Sequence, residues 1–367
     1  MASLHAKASH LPGERCSLLE DLPHGSKILI VRLRSLGDLV LETPSIAAIH
    51  AWRPDLQIHI LAEPRFAAVF EGNPSVSKVI FSTGFNETVR GLRRQQFPIV
   101  FNQHGGPRSA VLTLASGSKH RVGWKGFQFS FAYNVLVPDA KEFYGKAVVH
   151  AVEHRVSQFC WTGLPRGPIP NARVFPQPDA VVRVGEMLVR GGIGHGVPYA
   201  VFQPGARLPG MRWPAEKFAE VARWLRAERG IASVVNLSSA DAEIASGIRN
   251  SLQSCAVIPD PLSLRDLIAL IAGSRLFIGN DSGPAHLAAA TQRPAVVIYG
   301  PTNPAQWHPW QTEYRAVHTD AVFDPKRGDK SLAVRQSRSI NSIEADEVRR
   351  ACEDLLRTHE SVNRAGS

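Results

Sequence analysis

Short, unbroken apolar runs alternate with helical stretches twice along this chain. That alternation limits the possible folds more than any other feature. Ile28-Leu29-Ile30-Val31 is the first run. β-Branched residues without polar alternation mark a strand covered on both faces, the habit of parallel sheets. Strands are predicted to follow at Gln57–Leu61, Lys78–Phe81, Pro98–Phe101 and around Arg121–Gly123. Helices are predicted between them, near Val40–Trp52, Phe66–Glu71, Asn86–Gln96 and Arg108–Ser116. A second series starts at Tyr199–Phe202 and runs through Ser233–Leu237 and Leu276–Ile278 to Ala295–Tyr299. Its helices are predicted from Trp213-Pro214 to about Glu228, over Asp241–Leu252, from a Ser263 cap to Ala272, and up to Ala290. Parallel strands need crossover connections, so each series is a doubly wound α/β unit, with a ligand crevice between the two.

The stretch between the series is less regular. It holds a helix over His150–Phe159, a proline-rich linker from Pro165 to Pro178 and a glycine-rich loop at 191–196. The first 26 residues carry charges and prolines but no apolar segment, so they read as a loose leader and not a secretory signal. The boundaries fall at 1–26 for the leader, 27–180 and 181–340 for the two domains, and 341–367 for a C-terminal helix and tail.

Composition removes several classes. At 44% apolar residues the chain is ordinary globular material. Its four cysteines lie far apart with no CxxC pair, which argues against a zinc site or a disulfide framework. No apolar stretch approaches the roughly 20 residues of a membrane span, so a cytoplasmic protein is expected. A net charge of +10 points to anionic partners: nucleotides, nucleic acid or an acidic membrane surface. No RNP, KH or zinc-finger pattern supports nucleic acid.

Four loops at strand ends carry candidate chemistry. Arg32-Leu33-Arg34-Ser35-Leu36-Gly37-Asp38 follows the first strand, where open α/β sheets bind ligands. Asp38 is either a helix N-cap or a catalytic carboxylate, and the two arginines can bind an anion or lower its pKa. Gly279-Asn280-Asp281-Ser282-Gly283-Pro284-Ala285-His286 opens a helix, whose N-terminal N–H groups favour anions. Asp281 can accept from sugar hydroxyls, and Ser282 and His286 can donate to phosphate. The turn is neither a Walker loop nor a GxGxxG fingerprint. Gln203–Pro214 brings Arg207 and Arg212 toward the same crevice, and Gly300–Pro304 with Trp307 and Trp310 can wall it. Asn102, Gln103 and Arg108, after the fourth strand, are candidates to touch a second substrate. His150 and His154 are four apart but lack a carboxylate shell, so a structural role outweighs a metal one.

These residues resemble glycosyltransferase family 9, the ADP-heptose:lipopolysaccharide heptosyltransferases. The segment from Arg32 to Leu41 with Thr43-Pro44 is similar to the family's first signature. Glu71–Val76 with Val79-Ile80, and Arg108-Ser109-Ala110 with Arg121-Val122-Gly123, resemble two more. The most specific match is Gly279–Ala290 with Tyr299–Pro304. The resemblance implies a GT-B fold, two Rossmann-like domains facing across a cleft. The first domain would receive a lipid-linked core oligosaccharide and the second a nucleotide-sugar, ADP-heptose by family habit. Transfer would be inverting and free of metal and other cofactors, at the cytoplasmic face of the inner membrane. It puts the catalytic base on Asp38 and pyrophosphate binding on Asp281, Ser282, Gly283 and His286. Arg32, Arg34 and Ser35 join the acceptor side.

Two departures stand out. The family's Lys-Arg-Trp-Pro is here Met211-Arg212-Trp213-Pro214, which leaves Arg212 and Arg207 as the candidates to substitute for the lysine. A glycine-rich segment is replaced by Asn236-Leu237-Ser238-Ser239, which opens the choice of nucleobase. The alternatives are a relative with another donor and acceptor, or a nucleotide-sugar binder without turnover.

Overall fold

The computed structural model describes residues 16–319 and 340–365. β1 (Lys27–Val31), β2 (Gln57–Ala62), β3 (Lys78–Phe81), β4 (Ile99–Asn102), β5 (His120–Trp124) and β6 (Val135–Val137) form a parallel sheet in the order β3-β2-β1-β4-β5-β6. β7 (Tyr199–Gln203), β8 (Ala232–Val235), β9 (Leu276–Asn280), β10 (Ala295–Tyr299) and β11 (Tyr314–His318) form a second, ordered β11-β10-β9-β7-β8. Ile28 of β1 faces Ile58 on one side and Ile99 on the other. Strands β7, β9 and β10 are buried throughout, which explains their lack of polar alternation.

Each sheet reverses its winding once, between β1 and β4 in the first and between β7 and β9 in the second. Loops leaving neighbouring strands diverge at such a point and leave a crevice. The loops after these four strands are the ones that carry most of the candidate residues.

The helices are α1 (Leu36–Val40), α2 (Thr43–Trp52), α3 (Phe85–Gln95), α4 (Pro107–Ala115), α5 (Ala140–Tyr144), α6 (Ala151–Trp161), α7 (Pro178–Arg190), α8 (Ala215–Arg229), α9 (Ala242–Leu252), α10 (Leu264–Gly273), α11 (Gly283–Ala290) and α12 (Pro304–Trp307). A final helix spans Ala345–Ala365. The single helix predicted over Val40–Trp52 is divided into α1 and α2, because Pro44 has no N–H to continue the α1 ladder. The helix predicted over Phe66–Glu71 is a tighter 3₁₀ segment, Pro64–Val69. Edge strands β6 and β11 escaped the sequence reading, being short and mostly half-exposed. So did α7, although Ala180, Val184 and Leu188 repeat every four residues and bury against α10.

The loose leader is corrected from Cys16 onward. Leu19 and Leu22 are buried, and the Arg53 guanidinium donates to the carbonyls of Leu19, Glu20 and Leu22 at 3.1 Å each. Residues 1–15 lie outside the described residues. The final helix does not trail from the second lobe. Val348, Cys352, Leu355 and Leu356 share a core with α8. The proline-rich linker runs between the lobes, with Pro170 O accepting from Trp310 Nε1 at 3.0 Å and Val174 N donating to Ala290 O at 3.2 Å. All four cysteines are free and buried. No described helix is long and apolar enough to cross a membrane.

The lobes meet most closely through α1 and α11. A Cβ on Gly37 would come within 2.7 Å of the His286 ring, and one on Gly283 within 2.9 Å of Leu36. Only glycine permits this approach, so the two candidate loops are brought face to face. An Arg265–Glu71 ion pair at 2.6 Å ties the lobes at another point.

Candidate functional site

A cavity of about 580 Å³ lies between the lobes. Ser35, Gly37 and Asp38 line it from the first lobe, and Arg207, Asp281, Ser282, Gly283 and His286 from the second. Met211, Thr302 and Trp307 complete much of the wall.

Asp38 is not the helix N-cap. Ser35 holds that position, and Asp38 is the third residue of α1, closing a capping box. Its Oδ2 accepts from Ser35 N at 3.2 Å and from Ser35 Oγ at 2.9 Å. Its Oδ1 meets Arg32 and Arg155, each at 2.5 Å. Thus Asp38 closes the capping box from inside the helix and is held by two guanidiniums at the same time. Burial pushes the carboxyl up, but the charges of Arg32 and Arg155 outweigh that and hold it far below the usual carboxylate range. Asp38 is therefore ionised throughout the neutral range.

Arg155 is the largest omission of the sequence reading. It lies buried on α6 and donates to Ala151 O at 2.6 Å as well as to Asp38. Burial lowers its pKa to about 10, still well above neutral. Glu42 sits 3.7 Å from its Nε and is completely buried. No hydrogen bond of ordinary length reaches either Glu42 oxygen, and burial pushes this carboxyl up to about 7. A signal did exist. Arg155 is four residues from both Ala151 and Phe159, so it falls on the apolar stripe of its helix.

The second wall carries less charge. Ser282 is the N-cap of α11, with its hydroxyl 3.1 Å from Asn280 O. Burial raises Asp281 to about 6, and the Thr302 hydroxyl donating to its Oδ2 at 2.5 Å acts against the rise. His286 is buried, with Nδ1 unpartnered, and desolvation lowers it to about 4. It is a neutral imidazole at pH 7, able to donate one N–H but bearing no charge. Asn280 braces the loop, donating to Pro204 O at 2.7 Å and accepting from Trp213 N at 3.1 Å.

Other candidates lie elsewhere. Arg212 turns back and donates to Ala206 O at 2.8 Å, so Arg207 is the arginine of this loop on the cavity wall. Asn102 is buried, donating to Thr113 and Tyr133 and accepting from His104 N at 2.8 Å. Gln103 is buried against Gln158 at 2.9 Å, and its carbonyl accepts from Arg32. Both amides shape the first wall through the groups they hold, and neither lines the cavity. Arg108 is exposed and braces Ser82 and Thr83, and Arg34 is exposed outside the cavity lining. His150 caps α6 and donates through Nε2 to His308 O at 2.9 Å, while the His154 ring packs on Trp124 at 4.2 Å.

Comparison with known proteins follows the same lines. The model of glycosyltransferase family 9 (heptosyltransferase) matches residues 86–333. Lipopolysaccharide heptosyltransferase 1 of Pseudomonas aeruginosa is 28% identical over 76% of this chain and 79% of its own length. Lipopolysaccharide heptosyltransferase 2 of Escherichia coli is 25% identical over 85% of this chain and 93% of its own. The solved structure of Escherichia coli ADP-heptose LPS heptosyltransferase II superposes with a TM-score of 0.76 at 24% identity, over 91% of this chain and 99% of that one. The last is a likeness of fold, two facing parallel α/β lobes of GT-B type.

Proposed function

The chain belongs to glycosyltransferase family 9, and on that premise we propose that it is an inverting transferase carrying heptose from ADP-heptose to a lipopolysaccharide inner-core acceptor. That it is a glycosyltransferase follows from the family. The donor, the acceptor and the absence of a metal are our reading, supported by the names of the relatives and by the chemistry of the cleft. One observation carries it: an ionised Asp38 faces the N-terminus of α11 across a single cavity.

In this reading the acceptor hydroxyl oxygen attacks the anomeric carbon from the face opposite the nucleotide. The new C–O bond forms as the bond to the diphosphate oxygen breaks, and its electron pair leaves with the diphosphate. Asp38 takes the hydroxyl proton. Paired with two arginines it is a weak base, so the proton moves late, once bond formation has acidified the hydroxyl. Charge gathering on the diphosphate is met by Arg207, the Ser282 hydroxyl, the N–H groups opening α11 and the neutral His286 N–H. Arg207 takes the place of the lysine lost at Met211. Asp281 accepts from sugar hydroxyls. We assign the reaction to the cytoplasm, at the inner leaflet.

A thermal-shift panel of ADP, UDP, GDP and their sugars tests the donor. Transfer to a soluble core-oligosaccharide acceptor, with and without EDTA, tests the rest. Stabilisation by ADP-heptose above the others, with transfer unaffected by EDTA, is expected. Preference for a UDP- or GDP-sugar would replace the donor. Tight donor binding without transfer would favour a non-catalytic relative.

A further inference from the structure

Charge is unevenly spread over the chain. Residues 82–138 hold seven Lys or Arg and a single acidic residue, Glu87, and so supply +6 of the net +10. This stretch builds the outer layer of the first lobe: α3, α4 and the turn Ser130–Ala132, which packs on α4. Arg90 and Arg94 are exposed on α3, and Arg93 donates to Ala115 O at 2.9 Å, which ties the basic helix to the end of α4.

Large apolar side chains face solvent in the same layer. Phe131 is 69% exposed, Leu114 44% and Val111 43%. On α4, Ala110, Leu112 and Thr113 turn inward, while Val111 and Leu114 share the outward face. Phe131 touches Phe129 edge-on, yet most of its ring and nearly half of Val111 and Leu114 stay open to solvent.

Cations mixed with exposed apolar groups, almost without anions, narrow the partner. Nucleic acid or an acidic protein would match the arginines but leave Phe131 and Leu114 in water. A neutral apolar surface would strand the arginines. An anionic bilayer accepts both: rings and aliphatic tips enter the head-group region, and guanidiniums reach lipid phosphates. The layer also begins at the cleft. α4 starts directly after the loop of His104, which lies close to Arg32 and Arg34, and Leu114 is about 10 Å along the helix axis from Pro107.

We propose that the α3–α4 layer with Phe131 docks on an anionic lipid bilayer and holds the cleft mouth at the height of a lipid-linked acceptor. The last clause rests on the acceptor reading above. The layer would bind reversibly, by several weak contacts and no insertion of a helix.

Co-sedimentation of the full chain with vesicles tests this, using phosphatidylcholine alone and with about a third phosphatidylglycerol. Binding only to the mixed vesicles, weakening as salt rises beyond about 0.1 M, is expected. Arg90→Ser with Arg94→Ser should lower partitioning about 25-fold, near five-fold per charge. Leu114→Ser with Phe131→Ser should lower it about ten-fold and leave transfer to a soluble acceptor unchanged. Arg190→Ser with Arg226→Ser, on the second lobe, should change little. Equal binding to neutral vesicles, or equal partitioning of all variants, would overturn the proposal. So would salt-sensitive binding to RNA without binding to vesicles. Intact transfer without vesicle binding removes this proposal alone. Intact vesicle binding without transfer from any nucleotide-sugar removes the acceptor reading and leaves the surface standing.

Discussion

On the first wall of the cleft, two guanidiniums and two carboxylates crowd together at ion-pair distances, whereas the wall facing them offers a helix end, a neutral imidazole, one arginine and the Asp281 carboxyl, which is bonded to Thr302. The first wall is compensated before any ligand arrives, and its charges hold one another in position. The second presents the Arg207 guanidinium, the N-terminus of α11 and a neutral His286, a set that suits a ligand bringing its own negative charge. The contrast separates two tasks. Asp38 must be ionised and fixed, while the donor site must gain most when diphosphate charge develops.

The contrast can be broken from either side. Asp38→Ala should lower kcat by about 10³-fold or more while ADP affinity stays within about two-fold, since the base lies on the wall opposite the nucleotide. Steady-state kinetics beside nucleotide titration reads both, and normal turnover by a folded variant would remove Asp38 as base. Arg155→Ala strikes the compensated cluster and leaves buried Glu42 without its ion pair. A stability loss of about 3–5 kcal/mol in urea unfolding is expected, with a parallel fall in kcat as Asp38 loses one anchor.

Glu42 and Asp38 should show opposite pH signs. Glu42 is raised from 4.5 to about 7 in the folded chain. The folded state then keeps a proton that the unfolded state has released, so this group's contribution falls as pH rises through that window and levels off above it. Asp38 is lowered, so its contribution is present above its ordinary 3.8 and is lost as pH drops below that value. Glu42→Gln should flatten stability between pH 5 and 8 by up to about 3 kcal/mol, measured by urea unfolding. An unchanged slope would show that Glu42 is not the titrating group.

On the second wall the effects are smaller and concern affinity. Arg207→Ala should weaken ADP binding by about ten-fold or more, and Arg212→Ala by clearly less, because Arg212 is spent on Ala206 O. The reverse order would return the phosphate role to Arg212. Ser282→Ala should cost about five-fold in the same titration.

Much of this site could be read from one dimension. The β1 run and the loop to Asp38 lie within twelve residues, and the 279–286 turn within eight, so strand, turn and cap signals are all local. The Asp38 cluster was harder. Arg155 is 117 residues from Asp38 in sequence, and a helical arginine reads as solvated unless its stripe is traced. Glu42 was hidden at the break between α1 and α2, where a carboxylate looks like a surface residue. The basic and apolar layer was present in the sequence as charge counts, but which apolar residues escape the core depended on how α4 packs.

The sequence by itself determined two parallel α/β lobes, the loops that bear the chemistry and the family to which the chain belongs. Periodicity, glycine and proline fix those within a few residues of chain. Only the tertiary structure decided that Arg155 joins Arg32 on Asp38, that Arg207 and not Arg212 faces the cavity, and that His286 is neutral. The direction of a long side chain and the charge of a buried one depend on desolvation and on partners that distant segments supply, and neither is encoded locally.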